Sequence, residues 1–279
     1  MSTPSATATT TVSTGTGPLG IALVTGASTG IGAVYAERLA QRGYDLILVA
    51  RNEARLREVA QRIRAATGRQ VFAQIADLNN ARDRAQIEET LRSNPGITLL
   101  VNNAGVAASA PLGAADADAM EQMIDLNVTA LTRLTLAAIP GFTARGKGTI
   151  INIASVLGIT PEILNGVYGA SKAYVIAFTQ ALANELKEKN LRVQAVLPGA
   201  TATPLWDLIG VPHNTLPTEW VMPVEDMVDA ALTGLDAGEV ITIPPLHDKA
   251  LWDAYEGARQ AMRDKLSTSA PAPRYLRAS

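Results

Sequence analysis

From residue 19 onward the chain alternates short runs of β-branched residues and leucine with longer amphipathic stretches, and this alternation limits the fold more than any other feature. The apolar runs are IALVT at 21–25, LILVA at 46–50, VFAQIA at 71–76, ITLLV at 97–101, TIINIA at 149–154, LRVQAVL at 191–197 and EVITI at 239–243. Continuous apolar runs of this length suit strands covered on both faces, as in a parallel sheet. Between them the spacing predicts helices over 30–42, 53–67 closed by Gly68, 80–93 ending before Pro95, 117–145, 165–189 and 223–236. Strand–helix alternation with right-handed crossovers predicts an α/β fold, a doubly wound seven-stranded parallel sheet forming a single domain over 19–245.

The remaining segments and the composition exclude several classes of function. With 24 basic against 26 acidic residues and no basic stripe, the chain offers a phosphate backbone little to hold, so no nucleic-acid partner is expected. It has no cysteine, which removes disulfides, thiolate metal sites and cysteine nucleophiles together and suits a reducing, cytoplasmic setting. The two histidines, His213 and His247, stand far apart, so no metal site is expected. No apolar run approaches the roughly 20 residues needed to span a bilayer, and no membrane partner is expected. Residues 1–18 are Ser/Thr/Ala/Gly/Pro-rich without the basic and apolar parts of a secretory signal, and are expected to be a disordered leader. Residues 246–279 are expected to form an extension, with a helix at about 247–266 and a Ser/Ala/Pro tail.

The first strand runs into TGASTGIG at 25–32 and then a helix, the context a phosphate-cradling loop requires. Glycine at 26, 30 and 32 lets the backbone turn tightly and approach a pyrophosphate, and the following helix start favours negative charge. Gly26, Ser28, Thr29, Gly30, Ile31 and Gly32 are therefore candidate dinucleotide-binding residues of a Rossmann-type fold. At the end of the second strand, where NAD-preferring sites carry an acid, this chain has Ala50, Arg51 and Asn52. Without a carboxylate, and with a guanidinium to grip a 2′-phosphate, the site is expected to prefer NADP(H) over NAD(H). The plainer alternative is that Arg51 merely starts the helix of RNEARL at 51–56. Asp77, followed by Leu78 after the third strand, is placed either to bond an adenine amine or as an ordinary turn aspartate.

NNAG at 102–105 follows the fourth strand, and YGASK at 168–172 opens a helix, with Ser155 thirteen residues before the tyrosine. Together with TGASTGIG, in this order and over nearly all of 19–244, these resemble the short-chain dehydrogenase/reductase family. The joint pattern is specific although each motif alone is weak. The resemblance implies that Asn103, Ala104 and Gly105 flank the cofactor. It implies an Asn-Ser-Tyr-Lys tetrad of Asn127 (in DLNV at 125–128), Ser155, Tyr168 and Lys172, with Tyr168 and Lys172 also touching the cofactor and Asn127 holding a water. Taken alone, Asn127 could equally be a helix-interior amide bonded to backbone. PGATAT at 198–203 resembles the family's Pro-Gly segment, making Pro198, Gly199, Thr201 and Thr203 candidates beside the nicotinamide.

The residues themselves carry the chemistry. Tyr168 and Lys172 are spaced i to i+4, on one helical face, so the ammonium can stabilise a phenolate whose free pKa is about 10. Ser155, at the carboxyl end of the fifth strand, lies where open α/β sheets place ligands and can bond a substrate oxygen. The expected reaction is NADP(H)-dependent interconversion of an apolar carbonyl compound and a secondary alcohol by hydride transfer, with Tyr168 as proton donor or acceptor. The alternatives are a 3-oxoacyl thioester reductase and a non-catalytic NADP-binding regulatory protein, the latter opposed by the intact Ser155, Tyr168 and Lys172. Residues 204–222 suit a substrate lid, although Trp206 and Trp220 could also be packing anchors. The apolar faces of 117–140 and 165–186 predict a homodimer or homotetramer.

Overall fold

The computed structural model describes residues 19–208, 210 and 215–276. The expected leader at 1–18 and His213 lie outside the described residues. The strands are β1 (Ile21–Thr25), β2 (Asp45–Ala50), β3 (Val71–Ile75), β4 (Ile97–Asn102), β5 (Gly148–Ile153), β6 (Leu191–Val196) and β7 (Ile241–Thr242). They form one parallel seven-stranded sheet in the order β3-β2-β1-β4-β5-β6-β7. The order reverses between β1 and β4, and in such sheets ligands bind in the crevice beyond the strands' carboxyl ends at that reversal.

Helices cover both faces, as β1 illustrates. Ala22 and Val24 join an apolar cluster with α1 (Gly30–Gln41), α2 (Glu53–Thr67) and α8 (Val224–Asp236), whereas Ile21 and Leu23 join one with α3 (Ala81–Ser93), α5 (Leu131–Arg145) and α6 (Gly166–Leu186). Alternating side chains of a strand point to opposite faces, so a strand covered on both must be apolar throughout. Side-chain caps start several helices: Asn52 accepts from Arg55 N, and Asn80 from Arg82 N and Asp83 N. Three further elements complete the set: α4 (Ala117–Ile124), the short α7 (Leu205–Leu208) and α9 (Lys249–Ala261). The chain divides into two compact units, one ending at Pro245 and one beginning at Leu246. Among the described residues, no helix is long and apolar enough to cross a membrane.

Two elements depart most from the sequence expectation. The helix expected over 117–145 is interrupted by a π-helical stretch, Asp125–Ala130, between α4 and α5. Such wide turns recur at functional sites, and this one carries Asn127, whose side chain reaches the backbone of Val106. The run expected as a strand over 239–243 contributes only two residues, because Pro244 and Pro245 follow and proline has no N–H for a ladder. Below the crevice, Asn102 Nδ2 donates to Thr135 Oγ1 at 2.9 Å and to Asn152 Oδ1 at 2.9 Å, and Asn152 Nδ2 donates to Thr179 Oγ1 at 3.0 Å. This buried polar layer fixes α5 and α6 on β4 and β5, and thereby the level at which their upper turns meet the crevice.

Candidate active site

One cavity of about 1570 Å³ opens along the carboxyl ends of the strands. Every site residue proposed from sequence lines it except Gly32 and Asn127, which stand behind its wall. Its volume exceeds the roughly 300–1,000 Å³ usual for a single ligand site, leaving room for a dinucleotide and a second molecule.

The glycine loop forms one end. Gly26 has φ +65, and a Cβ there would lie 2.7 Å from Asn103 Nδ2; one at Gly32 would lie 2.4 Å from the Gly26 carbonyl oxygen. Side chains are excluded at both places, so the loop keeps a backbone-lined cradle. Asn103 Nδ2 donates to Thr25 O at 2.9 Å, and Thr25 Oγ1 accepts from the amides of Asn103 and Ala104, both at 3.0 Å. Thr25, inside the TGASTGIG motif, thus staples β1 to β4 beneath the cradle. Past β2, Arg51 is exposed, with Nη1 4.0 Å from Asp77 Oδ2. Arg55, one turn into α2, lines the same end and escaped the sequence reading. Its signal was present: four residues beyond Arg51, it repeats the cation at helical spacing.

The reactive end gathers at β5 and α6. Ser155 follows β5 and is buried; its Oγ accepts from Leu157 N at 3.1 Å. With a lone pair engaged by that amide, the hydroxyl proton is left to point elsewhere. Ser155 and Tyr168 both line the cavity at this end. Burial raises the Tyr168 phenol above its ordinary pKa, and the nearby Ser155 hydroxyl opposes that rise. Lys172 is buried, and desolvation lowers its pKa to about 8. Its Nζ donates to Ile153 O at 2.9 Å and stands 5.7 Å from the Tyr168 ring centroid. Burial therefore sets the direction of the phenol's shift in the protein itself.

Asn127 accepts from Val106 N at 2.9 Å and donates to Val106 O at 2.9 Å and Ser171 Oγ at 3.1 Å. Gly105 separates it from Lys172: a Cβ there would lie 3.1 Å from Asn127 Oδ1 and 3.6 Å from Lys172 Nζ. Thr201 and Thr203 are both buried; the Thr201 hydroxyl donates to Gly199 O at 3.2 Å, and Thr203 packs against Gly30. The base of the expected lid is joined by Ala202 N to Met222 O at 3.0 Å and Met222 N to Ala200 O at 2.9 Å. Trp206 Nε1 donates to Thr201 O at 2.9 Å, whereas Trp220 is exposed. The wall near Ser155 and Tyr168 is mostly apolar, with Leu112, Leu157, Ile163, Leu164, Leu205 and Trp206 on it and the carboxylate of Glu162 at its edge. Among the described residues there is no cluster of three metal-ligating side chains.

A family model described as short chain dehydrogenase matches residues 20–210. A solved structure of a short-chain dehydrogenase from Sphingobium yanoikuyae in complex with NADPH is 48% identical, with 92% of this chain and 100% of that chain covered and a TM-score of 0.90. The bulky-bulky ketone specific alcohol dehydrogenase from Comamonas testosteroni is 43% identical, with coverage of 93% and 99% and a TM-score of 0.86. Among curated proteins, the very-long-chain 3-oxoacyl-CoA reductase of Anas platyrhynchos is 36% identical over 189 residues, which cover 65% of this chain and 60% of that protein.

Proposed function

The chain belongs to the short-chain dehydrogenase family of NAD(P)-dependent oxidoreductases, and on that premise we propose that it interconverts apolar ketones bearing two bulky substituents and the matching secondary alcohols. The observation that carries this reading is that Ser155 and Tyr168 line, together with mostly apolar side chains, a cavity too large for the cofactor alone. The specificity named for the Comamonas testosteroni relative supports the same substrate class.

NADP(H) is the proposed cofactor, and the site's residues fit it. The side-chain-free cradle of Gly26 to Gly32 would hold the pyrophosphate, and Arg51 with Arg55 would hold the 2′-phosphate. Asn52, Asp77 and Leu78 would flank the adenosine; Asn103, Ala104, Gly105, Pro198, Gly199, Thr201 and Thr203 would line the path to the nicotinamide. The reduced cofactor, when bound, supplies a hydride to the carbonyl carbon. Ser155 donates a hydrogen bond to the carbonyl oxygen, and Tyr168 gives it a proton, which the elevated phenol pKa keeps in place at neutral pH. Lys172, still mostly protonated at pH 7, supplies positive charge beside the phenolate that forms. Asn127 orders Val106 and Ser171 behind them. The segment 204–222 acts as lid.

The 3-oxoacyl thioester reading fits less well. A carrier thioester is anionic, whereas the sequence of 204–222 contains no lysine or arginine and includes Asp207 and Glu219, and Glu162 lines the cavity. The test is a panel of ketones flanked by two rings, methyl ketones and a 3-oxoacyl thioester, followed by NADPH consumption. The two-ring ketones are expected to give the highest kcat/KM; a thioester above them overturns the substrate class.

A further inference from the structure

We infer that Asn165 is a positioning residue that binds the cavity wall at 106–112 and the first turn of α6 into one unit, so that substrate and Tyr168 are held in fixed relation. The inference rests on the ketone-reductase reading above.

Asn165 is the N-cap of α6, three residues before Tyr168, and its side chain is buried. Its Oδ1 accepts from Val167 N at 3.0 Å and Tyr168 N at 3.3 Å. Its Nδ2 donates in the opposite direction, to Ala110 O at 2.7 Å, across 55 residues of sequence. A cap alone needs only an oxygen, which serine, threonine or aspartate would supply equally well. The bond to Ala110 needs a donor on the same short side chain, and among good caps asparagine carries an amide that does both.

The two ends of the wall segment are held alike. Asn127 clasps Val106 through both its N–H and its carbonyl, and Asn165 clasps Ala110. Both clasps lead to Tyr168. Asn127 donates to Ser171 Oγ, which donates to Tyr168 O at 2.7 Å, while Asn165 holds Tyr168 N. The tyrosine's peptide groups are thus fixed on both sides by the network that fixes the segment. Between the clasps, Ala107 and Ser109 line the cavity; beyond Ala110, Leu112 lines it too and packs on Gly166, the first residue of α6. A wall that slips relative to Tyr168 displaces the carbonyl from its proton donor, and misplacements near 1 Å cost up to about a hundredfold in rate.

Asn165→Asp separates the two bonds: it keeps the cap oxygen and loses the donor to Ala110. In hydrogen exchange of the full chain, amides in 107–113 are expected to exchange faster than in wild type, while Val167 and Tyr168 stay protected; in Asn165→Ala both regions exchange faster. With NADPH and ketones, Asn165→Asp is expected to lower kcat/KM for a two-ring ketone roughly ten- to hundredfold. The ratio of that value to kcat/KM for a methyl ketone is expected to change by about fivefold or more, a readout that loss of folded protein alone would not move. If the aspartate variant fails to fold, Asn165→Ser, uncharged and too short to reach Ala110, replaces it in both measurements. Unaltered exchange in 107–113 overturns the inference, as does faster exchange with an unchanged substrate ratio. If wild type reduces no ketone of the panel, the proposed substrate class fails instead, and the exchange measurement alone decides whether Asn165 joins wall and helix.

Discussion

Lys172 lies one helical turn beyond Tyr168, yet its ammonium donates to Ile153 O at 2.9 Å and sits 5.7 Å from the phenol ring centroid. Burial moves the two groups toward their neutral forms, the phenol upward and the ammonium down to about 8. At neutral pH the pair is therefore loaded for reduction, with a proton on Tyr168 and a charge on Lys172.

The first prediction follows for catalysis. In wild type, kcat/KM for ketone reduction falls as pH rises through about 8, where Lys172 loses its charge. Lys172→Met is strongly impaired, and its residual activity lacks that limb. A pH–rate profile with the same alkaline limb in both proteins assigns it to another group.

The same shift has a consequence for stability. Lys172 ordinarily titrates at 10.5 but at about 8 in the folded chain, so between these values the unfolded state binds more protons. Stability contributed by this group therefore rises with pH across that window, while the raised phenol of Tyr168 begins to count against folding only above its ordinary value of 10.0. Between about pH 7 and about pH 10, denaturant unfolding should show wild type gaining roughly 2–3 kcal/mol relative to Lys172→Met. A difference that stays constant with pH contradicts the buried ammonium.

Cofactor choice rests on Arg51 and Arg55. Arg51 is largely exposed and its pairing with Asp77 is loose, so little holds it away from a 2′-phosphate. Arg51→Ala should weaken NADPH binding roughly tenfold and leave NADH binding unchanged, with a further loss on adding Arg55→Ala. Ala50→Asp, at the buried end of β2, should move preference toward NADH. Dissociation constants for both cofactors check this; wild type binding NADH as tightly as NADPH contradicts it.

Assembly is proposed to use the exposed face shared by α5 and α6. Thr132 Oγ1 and Tyr174 OH are hydrogen-bonded at 2.9 Å, Tyr174 stacks on Phe178 at 5.7 Å, and Leu136, one turn beyond Thr132, is exposed. Light scattering at micromolar concentration should give a dimer or tetramer, and Leu136→Arg with Tyr174→Glu should give a smaller species. A wild-type monomer contradicts the proposal.

What could be read from the sequence was what local pattern encodes. Apolar runs and the glycine loop made the strands and the cradle legible, since backbone geometry and helix-start electrostatics act over a few residues. The π-helical turn at Asn127 was not legible, and the partner of its side chain, Val106, lies 21 residues away. Asn165 read only as a helix start; its bond to Ala110 depends on tertiary placement. Spacing likewise shows that Lys172 is near Tyr168, but not how completely the phenol is buried.

The most direct test of the central claim is NADPH consumption with a two-ring ketone by wild type and Tyr168→Phe, alongside NADPH titration of both. Wild type should turn over, and Tyr168→Phe should lose roughly 10²–10⁴-fold in kcat while binding NADPH as tightly as wild type. Turnover by Tyr168→Phe within about tenfold of wild type contradicts the assignment of Tyr168 as the proton donor.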